Sequence, residues 1–276
     1  MIHFLEDENH NEIITNCLRK IYNVIEEKIN IKLYKQYSNK IYDLLKQLIF
    51  KYQGDENNDL NILFIEYLIY FSTEEEQILL LKHWLEINEP YIIYNNNKII
   101  LNKKLLLQNF RFNICVLIYE LPSIKIEEKE IILNKEIEKD NKSDRAMRVK
   151  CKCKSALPDL KIKEEIWDKI FNHPNEDSLY NQEAYISSFA RKNQLNLIKN
   201  FCEFKFFEDI LKLKNMDFFF IRTVVNSCGL VYFCNEDNIK KLEKIIEECK
   251  NYDVLFKALM KLLDKMKQIK KCQDLI

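Results

Sequence analysis

Two glycines and four prolines in 276 residues leave this chain almost without the residues that turn a backbone sharply. Turns with positive φ mostly call for glycine, and hairpins need many of them. So low a count argues against a sandwich, a barrel or a glycine-looped nucleotide site. Net charge is missing too, with 43 Lys and Arg against 43 Asp and Glu. Counterion-driven binding of nucleic acid needs a basic surface, and this balance supplies none, so no nucleic-acid partner is expected. Long apolar runs are also absent. A membrane span takes about 18 consecutive apolar residues, and the longest tempting stretch, Leu60 to Phe71, is broken by Asn61 and Glu66. The first residues, Met1 to Glu8, carry acids and no apolar core, so neither a signal peptide nor a membrane anchor is expected.

What remains is rich in Ile, Leu, Phe and Tyr, with 47% hydrophobic residues, which argues against disorder. The apolar residues recur at helical spacing. Residues Asn11 to Ile29 carry Ile14, Cys17, Leu18, Ile21, Val24, Ile25 and Ile29; Ile31 to Tyr52 repeat the pattern before Gly54 and a polar run. A third helix is expected from about Leu60 to Tyr70. Thr73 and Glu76 read as a capping box opening a short helix to about Leu85. Tyr91 to Ile100 reads as a loop around Asn95, Asn96 and Asn97, because a lone hairpin has no sheet to join. Asn102 can cap a helix to Glu120. Further helices are expected at Ser123–Lys139 and Asp140–Lys154, then from Pro158 as the first helical residue to His173. The remainder reads as Ser178–Ala190, Asn193–Leu213, Asp217–Asn226, Asp237–Lys250 and Tyr252 onward, with Cys228 to Cys234 unassigned. The fold class is all-α: an irregular, HEAT-like α-solenoid of antiparallel helix pairs, essentially without sheet. No fixed period marks tetratricopeptide or ankyrin units. The chain reads as a single helical-repeat domain over 1–276, with a weak subdivision near 121–140.

Chemistry is scarce. The nine cysteines are scattered and odd in number, which reads as reduced thiols in a cytoplasmic protein. Cys151 and Cys153, two apart on a helix, point to different sides and have no Cys-x-x-Cys beside them, so no zinc site is expected. None of His3, His10, His83 and His173 is followed by Glu, so there is no His-Glu-x-x-His helix. No catalytic residue and no metal ligand are assigned. Arg145, Arg148 and Lys152, spaced three and four apart, share a helical face. Such faces usually pair with acids such as Asp144 in water, but three converging cations can also receive a peptide's terminal carboxylate. They are the peptide-binding candidates, with Arg111 next. Phe201, Phe204, Phe206, Phe207 and Phe218 to Phe220 are read as core rather than as a binding platform.

One stretch, Lys139 to Leu211, carries a set of motifs: Asp140-x-x-Ser143-Asp144-Arg145, then Ala156-Leu157-Pro158-Asp159 with Lys163 and Trp167, then Ser187-Ser188-Phe189, Asn193-Gln194-Leu195 and Lys205-Phe206-Phe207. It resembles the C-terminal helical domain of zinc aminopeptidases of the aminopeptidase N type, nearest the cytosolic alanyl-aminopeptidase branch. Weaker similarity extends upstream through His83-Trp84-Leu85 and the helix holding Arg111, and downstream to Ala258–Leu275. The resemblance implies a bowl of HEAT-like helices closing a peptide chamber over a thermolysin-like catalytic domain. That domain would carry the zinc cofactor, the general base and the Gly-Ala-Met-Glu-Asn loop, none of which is in this chain. The implied partners are that catalytic domain, in cis or in trans, and a peptide substrate. On this reading the chain is part of a longer enzyme or a free-standing domain, inactive alone; the alternative is a helical-repeat scaffold that binds another protein.

Overall fold

The computed structural model describes residues 5, 8, 10–27, 31–52, 59–140 and 143–274. His3, Ile29, Gly54, residues 55–58 of the polar run after it and Leu275 lie outside them. The fold is all-α, with one two-stranded hairpin as its only described sheet. The chain divides into two compact units, Met1–Ile118 and Tyr119–Ile276, and the division falls inside the helix Gln108–Glu120.

In the first unit, helix Ile31–Lys51 packs against helices Asn11–Glu27 and Asp59–Tyr70. The expected apolar stripe is the buried one: Ile14, Leu18, Ile21 and Ile25 face the core, whereas Val24 is exposed. Two local expectations need correction. Helix Glu75–Glu86 is capped one residue later than Thr73. Gln77 Oε1 reaches back to accept from the backbone N–H groups of Thr73 and Glu74, at 2.8 and 3.0 Å, while Glu74 turns to Lys35 and Asn39. An amide at the third helical position serves the role expected of Glu76.

The segment read as a loop is a hairpin, Tyr91–Tyr94 paired antiparallel with Asn97–Ile100. Its turn is made without glycine: Asn95 and Asn96 both take positive φ, 48° and 62°. Asparagine is the non-glycine residue best able to do so in a two-residue primed turn. The hairpin joins no sheet because it packs on helices instead. Ile92 and Ile99 are buried, helix Ile31–Lys51 lies against the first strand, and Trp84 Nε1 donates to Tyr91 O at 2.7 Å.

The second unit is a two-layer stack. Helices Asp144–Ala156, Leu179–Ser187, Phe218–Ser227 and Asp253–Asp274 pack side by side in one layer. Leu160–Phe171, the segment Ile210–Leu213 and helix Glu236–Glu248 intervene on the other side. The first three layer helices run in the same direction, since partners advance together along them. Arg148 meets Tyr180 and Cys151 meets Tyr185; Thr223 meets Glu183, and Gly229 meets Ala190. Such alternation is how HEAT-type pairs bury their apolar stripes.

Polar side chains set the helix starts: Asp159, Ser178, Asp217 and Asn235 each accept from backbone N–H groups of the first turn, as N-caps do. Pro158 therefore lies one residue before the cap rather than first in its helix. The single helix expected at Asn193–Leu213 is instead a chain of short turns, including a π-helical turn at Phe201–Lys205.

Gly229 is the one described glycine. It follows the end of helix Phe218–Ser227 at φ 88°, and a Cβ there would lie 2.5 Å from Ala190 Cβ and 3.2 Å from Cys202 Sγ. Left-handed strain of roughly 1–2 kcal/mol adds to overpacking of about 1–3 kcal/mol. Gly229→Ala should therefore lower stability by about 2–5 kcal/mol in urea denaturation; a change below about 0.5 kcal/mol would show that this corner yields freely.

Candidate functional site: a buried polar node

The last carbonyls of an α-helix have no partner within the helix, and glycine usually helps to satisfy them by turning the chain back. Helix Asp144–Ala156 ends in Leu157-Pro158, which cannot do this. Side chains from later in the chain replace the glycine. Lys163 Nζ donates to Ser155 O at 2.5 Å and to Phe189 O at 2.8 Å, and Gln194 Nε2 donates to Ala156 O at 2.7 Å. Lys163 is 0% exposed, with its amine over the Phe189 ring. A cation also suits the negative end of a helix dipole. The end of helix Gln108–Glu120 is treated alike: Lys129 Nζ, buried, donates to Tyr119 O at 3.1 Å and Leu121 O at 2.6 Å.

Charge gathers around Lys163. Glu120 is buried and ion-paired with Arg191, and Asn193 adds a hydrogen bond to its carboxylate. Burial pushes the Glu120 carboxyl up, opposed by Arg191 and then by Lys163. Burial, then the Arg191 charge, pushes the Lys163 amine down to about 7, with Glu120 pulling the other way. Trp167, one turn on, donates from Nε1 to Asp209 Oδ2 at 2.8 Å and stacks on Phe171 at 4.4 Å between ring centres.

Of the four peptide-binding candidates, three lie along helix Asp144–Ala156. Arg145 is exposed. Arg148 is half-buried, its Nε directed at Asp144 O at 3.4 Å and its guanidinium over Tyr180 at 5.6 Å. Lys152 is half-buried, and its amine is pushed down by burial, by Arg148 and by Arg191. Arg111 belongs to the first unit, where its Nη1 donates to Leu106 O at 2.9 Å. Arg191, Glu120 and Lys129 were missed, since nothing in their local sequence marks them. Lys163 did leave a signal: it shares its helical stripe with Ile166, Trp167 and Ile170, so a lysine stands where an apolar residue is expected.

The phenylalanine cluster needs a correction. Phe201, Phe206 and Phe220 are core, but Phe204, Phe218 and Phe219 are exposed. Helices of one turn or a few turns bury only one side of such runs. Cys151 and Cys153 are both buried, and burial pushes the Cys151 thiol up. Among the described residues no group of three or more His, Cys, Asp or Glu could hold a metal ion, and no helix is long and apolar enough to cross a membrane.

No known family model matches this chain, and no curated protein matches it.

Two outcomes follow. Trp167→Ala should cost about 3–5 kcal/mol, as for other large aromatic truncations in cores, and Trp167→Phe should cost distinctly less by keeping the ring stack. A loss under about 1 kcal/mol for the alanine variant would contradict the core role.

The second concerns pH. Lys163 has a folded pKa below its unfolded value of roughly 10.4, so the unfolded chain holds the extra proton and stability rises with pH above about 7. Relative to Lys163→Met, the wild type should gain about 1–2 kcal/mol between about pH 6.5 and pH 8.5. Glu120, raised by burial, titrates in both proteins and largely cancels from the difference. A flat or falling difference would mean the amine stays charged throughout this range.

Proposed function

We propose that the chain is an accessory helical domain of the kind that closes the peptide chamber in zinc aminopeptidases of the aminopeptidase N type. In that role it contributes no catalytic group. Zinc and its general base would belong to a partner catalytic domain, whose metal-bound water attacks the N-terminal peptide bond. The helix layer of the second unit would present Arg145, Arg148 and Lys152 to the peptide.

One observation carries this reading. Several of the residues that express the resemblance, those between Ala156 and Gln194, converge on the buried node and its borders. Ala156 offers its carbonyl, Asp159 caps, and Lys163 clamps two carbonyls. Trp167 packs, Phe189 is buried with its carbonyl taken, and Gln194 closes the ring. Residues on which a fold depends are those a related fold would share, so the motif is better supported than its length alone suggests. A second reading, a scaffold that binds another protein, rests on the stack of same-direction helices, which needs no catalytic domain to explain it.

Purified chain should show no turnover of aminoacyl fluorogenic substrates, with or without added zinc. Chelator-sensitive turnover by clean protein would overturn the accessory role. The transcript upstream of Met1 separates the two readings: an in-frame His-Glu-x-x-His supports the aminopeptidase, and an in-frame stop codon directly before Met1, with no separately encoded catalytic partner co-purifying, supports the scaffold.

A further inference from the structure

Positive charge exceeds negative charge beside the node. Arg148 and Lys152 lie one turn apart on helix Asp144–Ala156. Residues 189–194 abut the last turn of that helix, because Phe189 O and Ser155 O share the Lys163 amine and Gln194 holds Ala156 O. That contact brings in Arg191, and both Arg148 and Arg191 act on the Lys152 amine. Lys163 lies buried alongside. One carboxylate, Glu120, answers this group, and it is buried against Arg191.

Two neighbouring acids are already engaged, and Asp144, one turn before Arg148, is exposed and forms no ion pair with it. Glu165 pairs with Lys154 at 2.5 Å and Asp177 with Lys169 at 3.0 Å. Arg148 meets only a backbone carbonyl and the Tyr180 ring, and Lys152 has no carboxylate within ion-pair distance among the described residues. Both are half-exposed, so a solute can reach them.

We propose that Arg148, Lys152 and Arg191 form a binding site for a phosphate dianion, either the free ion or the terminal group of a small phosphate ester. The charge decides the class. Two cations lack a counter-charge; a carboxylate supplies one negative charge, whereas a phosphate group supplies about 1.5 to 2. A guanidinium fork takes two phosphate oxygens, and an ammonium takes a third as a point charge. Tyr180 holds the Arg148 guanidinium by a cation–π contact, which limits the conformational freedom lost on binding. The site stands whether or not the chain serves an aminopeptidase.

Calorimetric titration at fixed ionic strength and neutral pH tests it, with inorganic phosphate, methyl phosphate and acetate as probes. Inorganic phosphate should bind saturably at one site, and acetate at least about tenfold more weakly. Equal binding of methyl phosphate assigns the site to esters as well; its failure assigns it to the free ion. Arg148→Gln and Lys152→Gln, each checked for unchanged circular dichroism, should each weaken phosphate by about tenfold or more. Arg222→Gln, on another helix, should leave it unchanged. Absence of saturable binding, equal affinity for acetate, or wild-type affinity in both the Arg148 and Lys152 variants would overturn the proposal.

Discussion

The structure depends on how helix ends are finished in a chain with almost no glycine. Every helix leaves carbonyls without intrahelical partners, and burying them bare costs about 1–3 kcal/mol each. Lys129 and Lys163 each reach two such carbonyls from a distance of eight residues or more along the chain. A left-handed glycine satisfies a helix end locally and says nothing about where the next helix goes. A lysine clamp satisfies it only when a later helix is in place, so each clamp couples a helix end to the helix packed against it. The one described glycine, Gly229, lies so close to Ala190 that a side chain has no room. Here too the helix end and the packing are one constraint.

The same solution concentrates charge. Capping carbonyls with lysine amines places titratable groups inside the fold, and their charged form is costly there unless paired. Glu120 offsets part of that cost, but it is itself buried and engaged by Arg191. The balance is left to Arg148 and Lys152, on the rim, where water or an external anion can meet it. The helix-end requirement and the rim cations therefore lie side by side on the second unit, and that is where the proposed anion would be held.

Much of this was legible in advance, and what was not has physical reasons. Helix existence and core faces follow from period and burial, as Ile14, Leu18, Ile21 and Ile25 show. A hairpin is disfavoured in the sequence because a lone ribbon has no sheet to join, but Ile92 and Ile99 pack it on helices instead, and two asparagines at positive φ make its turn. The exposed Phe218 and Phe219 were hidden because a run of phenylalanines has no period to say which ring points inward. The node was half visible. Lys163 interrupts an apolar stripe, which signals a buried partner, but Arg191 and Glu120 come from elements 28 and 43 residues away in either direction. No local pattern encodes such a meeting.

This bears on what a motif resemblance conveys. The motif residues between Ala156 and Gln194 cap, clamp and pack. Such residues specify how helices stack, and one stack can serve many purposes. Function must then come from groups that the packing does not consume. In the second unit Trp167, Gln194 and Lys163 are all engaged by the fold, whereas Arg148 and Lys152 keep donors open toward solvent. An anion arriving at this unit would find its contacts at those two side chains, because neither forms an ion pair with a described acid.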